Sequence, residues 1–321
     1  MRRLIAAAAL ALPILAACGS GWQPPDPAAL AGRVREDALR AHVQTLASDP
    51  RNGLAQPEAA AAAARYIEAQ LDEAGLAVRR QDIPFGGVSL PNVIGEKRGD
   101  VCPERIFILG AHYDSQAGTP GADDNASGVA GVLEAARALS DAHLPASVWF
   151  VGFAFEEEGL VGSAAMAQAL ANEGVELTGM VSLEMIGFTT EGQDATGGPG
   201  DALLIVGDRP SETLARAFER AAASSTPDLA VRTLVLDPAA IPDIRRSDHA
   251  PFWNLGYRAL MLTDGANLRN PNYHQPGDTV ETLDFPFMLW VTQAAVAGIA
   301  AYLGSDADAD GAPDVCAGER D

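Results

Sequence analysis

Apolar and polar positions along this 321-residue chain fall into two alternating patterns. Short apolar runs of strand length occur at 105–111, 147–155, 178–186, 202–206, 230–236 and 258–263. Leu76 to Ile83 alternates as a half-buried strand, and 92–96 is a further short one. Between them, apolar residues recur every three or four positions, as at Val129, Val132, Leu133, Ala136 and Leu139, predicting a helix over 125–140. The same spacing predicts helices at 36–48, 161–173, 211–224 and 285–303. Pro57 opens an Ala-rich helix that Gly75 ends, with Tyr66, Ile67 and Leu71 as its core stripe. Strands alternating with helices imply an α/β fold. We expect a single globular domain with a mixed, mostly parallel sheet flanked by helices on both faces. Ligands in such sheets collect beyond the carboxyl ends of the strands.

The ends of the chain read differently. Met1-Arg2-Arg3 followed by the apolar stretch Leu4 to Leu15 has the form of an export signal over 1–17, too short to span a membrane as a mature helix. It runs into Leu15-Ala16-Ala17-Cys18-Gly19, which resembles a bacterial lipobox and implies lipidation of Cys18 and a lipid anchor in a membrane. An ordinary cleavable signal is the alternative, and either places the protein outside the cytoplasm, in the cell envelope. Residues 18–34, rich in Gly, Pro, Asp and Ala, read as a tether to a domain over 35–304. An acidic tail follows at 305–321.

Hydrophobic content of 48% supplies ample core. The formal net charge of -21 argues against nucleic acid as a partner. Apart from Cys18, the cysteines are Cys102 and Cys316. In an exported chain two such cysteines most simply pair, and two free thiols are the alternative.

The candidate chemistry lies where strands end. The run 105–109 leads into Gly110-Ala-His112-Tyr-Asp114-Ser115, the loop beyond it reaches Asp123-Asp124-Asn125, and 147–155 leads into Glu156-Glu157-Glu158. Glu184 sits at the end of 178–186, and His274 in a turn-rich loop. Imidazoles and carboxylates converging without cysteine describe a nitrogen-and-oxygen metal site. Asp114 is placed to hold the other ring nitrogen of His112.

Six blocks then appear in order: Gly110 to Ser115, Ala122 to Gly128, Phe155 to Ser163, Ser182 to Gly187, Arg246 to Phe252 and Tyr273 to Asp278. Together they resemble the dizinc exopeptidase family of bacterial leucine aminopeptidases, aminopeptidase Y and the glutamate-carboxypeptidase relatives, over about residues 35–303. The resemblance implies two zinc ions and peptide substrates. It implies His112 with Glu184 on one metal, Glu157 with His274 on the other, and Asp124 bridging. It implies Glu156 as general base, Asp114 behind His112, and the Tyr273 phenol near the oxyanion. Adjacent Glu156 and Glu157 point opposite ways on an extended segment, so the chain is expected to bend there. Many family members have Asp where this chain has Glu184.

An aminopeptidase is the leading expectation, because the site holds carboxylates in excess for a substrate amine. A carboxypeptidase needs a cationic clamp, and with Lys97 the chain's one lysine, arginines such as Arg245, Arg246 or Arg269 have to supply it. Glutaminyl cyclase, a related one-zinc acyltransferase, has Trp where this chain has Tyr273. A non-catalytic module on the same fold usually lacks ligands that are all present in this chain. Ser247-Asp248-His249 is expected to be supporting structure. In the tail, Asp306, Asp308, Asp310 and Asp314 resemble the calcium-binding units of thrombospondin type 3 repeats, the alternative being a disordered acidic tail.

Overall fold

The computed structural model describes residues 22–195, 197–307 and 312–317. The export signal, Cys18, Asp308 and Asp310 lie outside the described residues. The chain runs α1 (Pro27–Ala31), α2 (Glu36–Leu46), α3 (Pro57–Glu73), β1 (Ala77–Phe85), β2 (Val88–Lys97), β3 (Cys102–His112), α4 (Gly128–Leu139), β4 (Ala146–Phe153), α5 (Val161–Glu173) and β5 (Leu177–Glu184). It continues through β6 (Leu203–Gly207), α6 (Glu212–Ser225), β7 (Val231–Val235), α7 (Ala250–Asn254), β8 (Ala259–Thr263) and α8 (Phe285–Leu303). The strands form one sheet in the order β1-β2-β4-β3-β5-β8-β6-β7. Its centre, β4-β3-β5-β8, is parallel; β1, β2 and β6 join antiparallel neighbours, and β6 pairs with β7 in parallel.

Alternation along the central strands divides their side chains between two cores. Phe107, Leu109, Val181, Leu183, Leu260 and Leu262 face α4, α6 and α8 in the larger core. Ile106, Ile108, Met180, Ala259 and Met261 face α5 and α7 in the smaller one. Helix α8 is apolar on nearly every side because it lies inside the larger core, packed against α6, α4 and α1. It is long and apolar enough to cross a membrane, but most of it is buried in the domain.

Two expectations need correction. The tether reading fails for residues 27–34. Asp26 accepts the N–H groups of Ala28 and Ala29 at 3.0 and 3.2 Å, Pro27 starts α1, and Leu30, Ala31 and Val34 are buried. Three apolar positions in so short a stretch were hidden by its linker-like composition. The helix expected from 125 starts at Gly128, because Asp124 (φ −107, ψ 87) and Asn125 (φ −134, ψ 44) depart from helical geometry in the turn that precedes it.

Cys102, at the start of β3, is bonded to Cys316, with Cα atoms 5.6 Å apart. In the tail, Asp314 accepts from Ser305 Oγ at 2.5 Å and from the Ala307 N–H at 3.1 Å, so its carboxylate closes the turn after α8.

Candidate metal centre

Three parallel strands deliver the site. β3 ends at His112, β5 ends at Glu184, and β4 ends three residues before Glu156. The bend expected between Glu156 and Glu157 is present: Phe155 has φ 56, and both glutamate N–H groups point back to the Asp114 carboxylate, at 3.1 and 3.2 Å. Met185, just after Glu184, has φ 49, and His274 has φ 56. Left-handed backbone at non-glycine residues costs on the order of 1–3 kcal/mol each and gathers at functional sites. The Asp124–Asn125 peptide bond is cis.

All five candidate ligands meet. Asp124 lies between the two histidines, with Oδ1 3.3 Å from His112 Nε2 and Oδ2 3.2 Å from His274 Nε2. Glu184 Oε2 is 3.5 Å from His112 Nε2, and Glu157 Oε2 is 3.2 Å from His274 Nε2. The donors thus form two groups sharing Asp124: His112, Asp124 and Glu184, then Asp124, Glu157 and His274. His112 and Glu184 thus share one group, and Glu157 and His274 the other.

The donors fit a cation. His112 Nδ1 lies 3.1 Å from the Asp114 carbonyl oxygen, which assigns its proton to Nδ1 and turns the Nε2 lone pair into the cluster. Among the described residues, buried Nε2 of His112 and Oε1 of Glu157 have no hydrogen-bond partner. Nitrogen and carboxylate oxygen without sulfur is a donor set that suits zinc. One detail differs from expectation. The Asp114 carboxylate is 3.8 Å from His112 Nδ1, so Asp114 holds the ring through its main-chain carbonyl and uses its carboxylate on the glutamate turn.

The protein alone leaves the cluster electrostatically unbalanced. Burial pushes Glu157 up to about 7, Asp124 adds to this, and the two histidines oppose it. Glu156 rises well above the carboxylate range, first through burial, with Glu184 and Asp248 reinforcing it against His112. Burial lowers the histidines, but neighbouring carboxylates outweigh it, holding His112 well above its ordinary value and His274 at about 9. Burial also works against charge on Asp124, yet the two histidines pull its pKa below the usual range. The protein therefore holds protons where a cation would sit.

Glu156 stands beside both groups without joining either, its Oε2 3.9 Å from His112 Nε2. Tyr273 stacks on the His274 ring with centroids 3.8 Å apart, and its hydroxyl oxygen accepts from Arg246 at 2.9 Å. That leaves the phenol proton free to donate.

Several contributors were not legible as such in the sequence. Ser247 Oγ donates to Glu184 Oε2 at 2.7 Å and lies 3.1 Å from Ser182 Oγ, which gives the supporting role expected of the 247–249 segment a specific contact. The Asp278 carboxylate accepts the N–H groups of Asp123 and Asp124 at 2.8 and 3.1 Å. Asn270 donates to Asp123 at 2.7 Å. Ser247 and Asp278 lie inside the blocks that carry the family resemblance, so the signal for them was present; Arg51, a buried arginine under the site, had none.

Known proteins resemble this chain in sequence and in fold. YfbL of Escherichia coli (strain K12), itself uncharacterized, is 35% identical over 254 residues, covering 73% of this chain and 77% of that protein. A probable zinc metalloprotease of Phaeosphaeria nodorum is 29% identical over 276 residues; the match covers 70% of this chain and 54% of the fungal protein, so the chain spans about half its length. The aminopeptidase from Aneurinibacillus sp. strain AM-1 has the same fold, with a TM-score of 0.68 at 19% identity over 86% of this chain and 95% of that one. The model of peptidase family M28 matches residues 92–299, from β2 to the last turns of α8 and across all five candidate ligands, and on that match the chain belongs to peptidase family M28.

Proposed function

We propose that this peptidase is a dizinc aminopeptidase that removes residues from the N-termini of peptides and is held at the cell envelope by lipid on Cys18. The observation that carries the reading is the pair of donor groups sharing Asp124, with Glu156, its side chain 10% exposed, beside them. His112 and Glu184 would hold one ion, Glu157 and His274 the other, and Asp124 both. Bound there, two zinc ions supply Lewis-acid polarisation of the scissile carbonyl and lower the pKa of water.

The chain's own residues do the rest. Glu156 accepts a proton from the attacking water and returns it to the leaving amine; burial, which raises its affinity for that proton, suits both halves of the task. The Tyr273 hydroxyl, kept as a donor by Arg246, is available to the developing oxyanion. The surrounding carboxylates favour a substrate bearing a free ammonium group. Of the arginines considered for a carboxylate clamp, Arg269 is buried in an ion pair with Asp194, Arg245 donates to Asn254, and Arg246 is engaged with Tyr273. That distribution favours an aminopeptidase over a carboxypeptidase.

The test is metal content of the purified protein together with hydrolysis of matched free and N-acetylated peptides. Two zinc ions per chain, with cleavage lost on chelation or acetylation, is the expected result. Cleavage indifferent to acetylation overturns the aminopeptidase reading. One zinc with cyclisation of N-terminal Gln as the sole reaction moves the assignment to glutaminyl cyclase.

A further inference from the structure

Arg51 is 1% exposed and lies in the connection between α2 and α3. Burying a guanidinium costs several kcal/mol unless its donors are satisfied, so an arginine buried this completely has a specific set of partners. Its partners are main-chain carbonyls: Tyr113 O accepts from Nε at 2.7 Å, Leu46 O from Nη1 at 3.1 Å, Gly121 O from Nη2 at 2.9 Å, and Pro120 O also from Nη1. Among the described residues it forms no ion pair. Burial lowers its pKa to about 10, against the raising influence of Asp278, Asp114, Asp124 and Glu157, so it stays charged at neutral pH.

The two ends of that fork matter most. Tyr113 lies between His112 and Asp114, and Gly121 lies three residues before Asp124. Gly121 has φ 62, and a Cβ there would come 2.3 Å from the Asp124 carbonyl oxygen and 2.6 Å from Ser115 Cβ, so the loop closes tightly on itself at this point. Ser115 fastens the same closure. Its hydroxyl accepts the main-chain N–H of Arg51 at 3.1 Å and donates to Thr119 O at 3.1 Å, while its carbonyl accepts from the Asn52 side chain at 3.1 Å. One rigid planar group therefore grips both sides of the loop whose ends carry His112 and Asp124.

We infer that Arg51 is a positioning residue: by bridging Tyr113 and Gly121 it sets the spacing between His112 and Asp124, and through that spacing the affinity of the site for its metal. This rests on the dizinc reading. It assigns Arg51 a task that lysine cannot perform, since an ammonium has the charge but not the planar fork that reaches four carbonyls.

The experiment compares wild type, Arg51→Lys and Ser115→Ala for zinc retained after dialysis against graded chelator. Circular dichroism and melting of the metal-free proteins are followed in parallel. Loss of a group behind a metal ligand costs about 10–100-fold in metal affinity. Arg51→Lys is expected to lose zinc by that factor while its metal-free form keeps the wild-type spectrum, with kcat reduced more than KM is raised. Ser115→Ala is expected to move retention in the same direction by less. Folded Arg51→Lys with wild-type zinc retention overturns the inference. If Arg51→Lys does not fold, Ser115→Ala decides, and unchanged retention there also overturns it. A wild type that binds no zinc fails the dizinc reading itself, and the inference falls with it.

Discussion

The Asp114 carboxylate accepts the main-chain N–H of Glu156 at 3.1 Å, so a residue at the end of one strand sets the direction of the proposed base at the end of the next. With its partner bond to Glu157 at 3.2 Å, Asp114 holds the turn that separates base from ligand. Replacing Glu156 by Gln keeps that turn, because both bonds are to the main chain, and removes only proton transfer. We expect kcat to fall by about 10²–10⁴-fold, with zinc content and melting temperature near wild type. Steady-state kinetics and metal analysis on the same preparation check this, and a variant with full activity removes Glu156 from the mechanism.

Glu184 is longer than the aspartate many family members carry, and the Ser247 hydroxyl at 2.7 Å is what fixes its Oε2. Ser247→Ala is expected to weaken metal affinity by about 10–100-fold, as for other groups behind metal ligands. Its signature is selective: one of two bound zincs becomes easy to remove while the other resists, which stepwise chelator titration resolves. Two zincs lost together, or neither affected, contradicts the assignment of Glu184 to a single metal.

Metal removal should expose the proton affinity of the cluster. In the metal-free protein Glu157 has its pKa raised to about 7 and His274 to about 9. In both cases the folded state binds the proton more tightly than the unfolded chain does. Stability therefore falls as pH rises, from about 4.5 to 7 for Glu157 and from about 6.5 to 9 for His274. Asp124, shifted downward, has its effect below that window. The melting temperature of chelated protein is expected to decline between pH 5 and pH 9, and saturating zinc to flatten the decline. A chelated protein that melts higher at pH 9 than at pH 5 contradicts the upward shifts of Glu157 and His274.

Cys102→Ser tests the disulfide, which joins residues 214 apart in sequence. A native bond closing a loop this long typically contributes about 2–5 kcal/mol. Its site is the start of β3, and ten residues of strand at about 3.3 Å each put it roughly 30 Å from His112. We expect a lower melting temperature with kcat and zinc content unchanged. A fall in kcat at temperatures where the variant is fully folded would instead tie the tail to catalysis.

Much of the fold was legible because each central strand is an apolar run ending abruptly in polar residues. Where β3, β4 and β5 stop, His112, Glu156, Glu157 and Glu184 follow, and a parallel sheet brings such ends together without further instruction. Less legible were residues whose meaning depends on a distant carbonyl or carboxylate. Arg51 meets Tyr113 across 62 positions, Ser247 meets Glu184 across 63, and Asp278 meets Asp123 across 155. No local period encodes those approaches. Helix α1 was missed for the opposite reason: its capping signal at Asp26-Pro27 was present but lay inside a stretch with the composition of a linker.

The junction of α1 with α8 has a consequence for how the molecule meets its surroundings. Pro25 lies against Gly304 at the end of α8, just beyond Tyr302, whose hydroxyl bonds Thr178 at the start of β5. The described chain therefore begins at the foot of the sheet, while His112 and Glu184 stand at its head. Under the anchoring proposed at Cys18, the strand ends that carry His112 and Glu184 lie at the far end of the sheet from the segment by which the molecule is held.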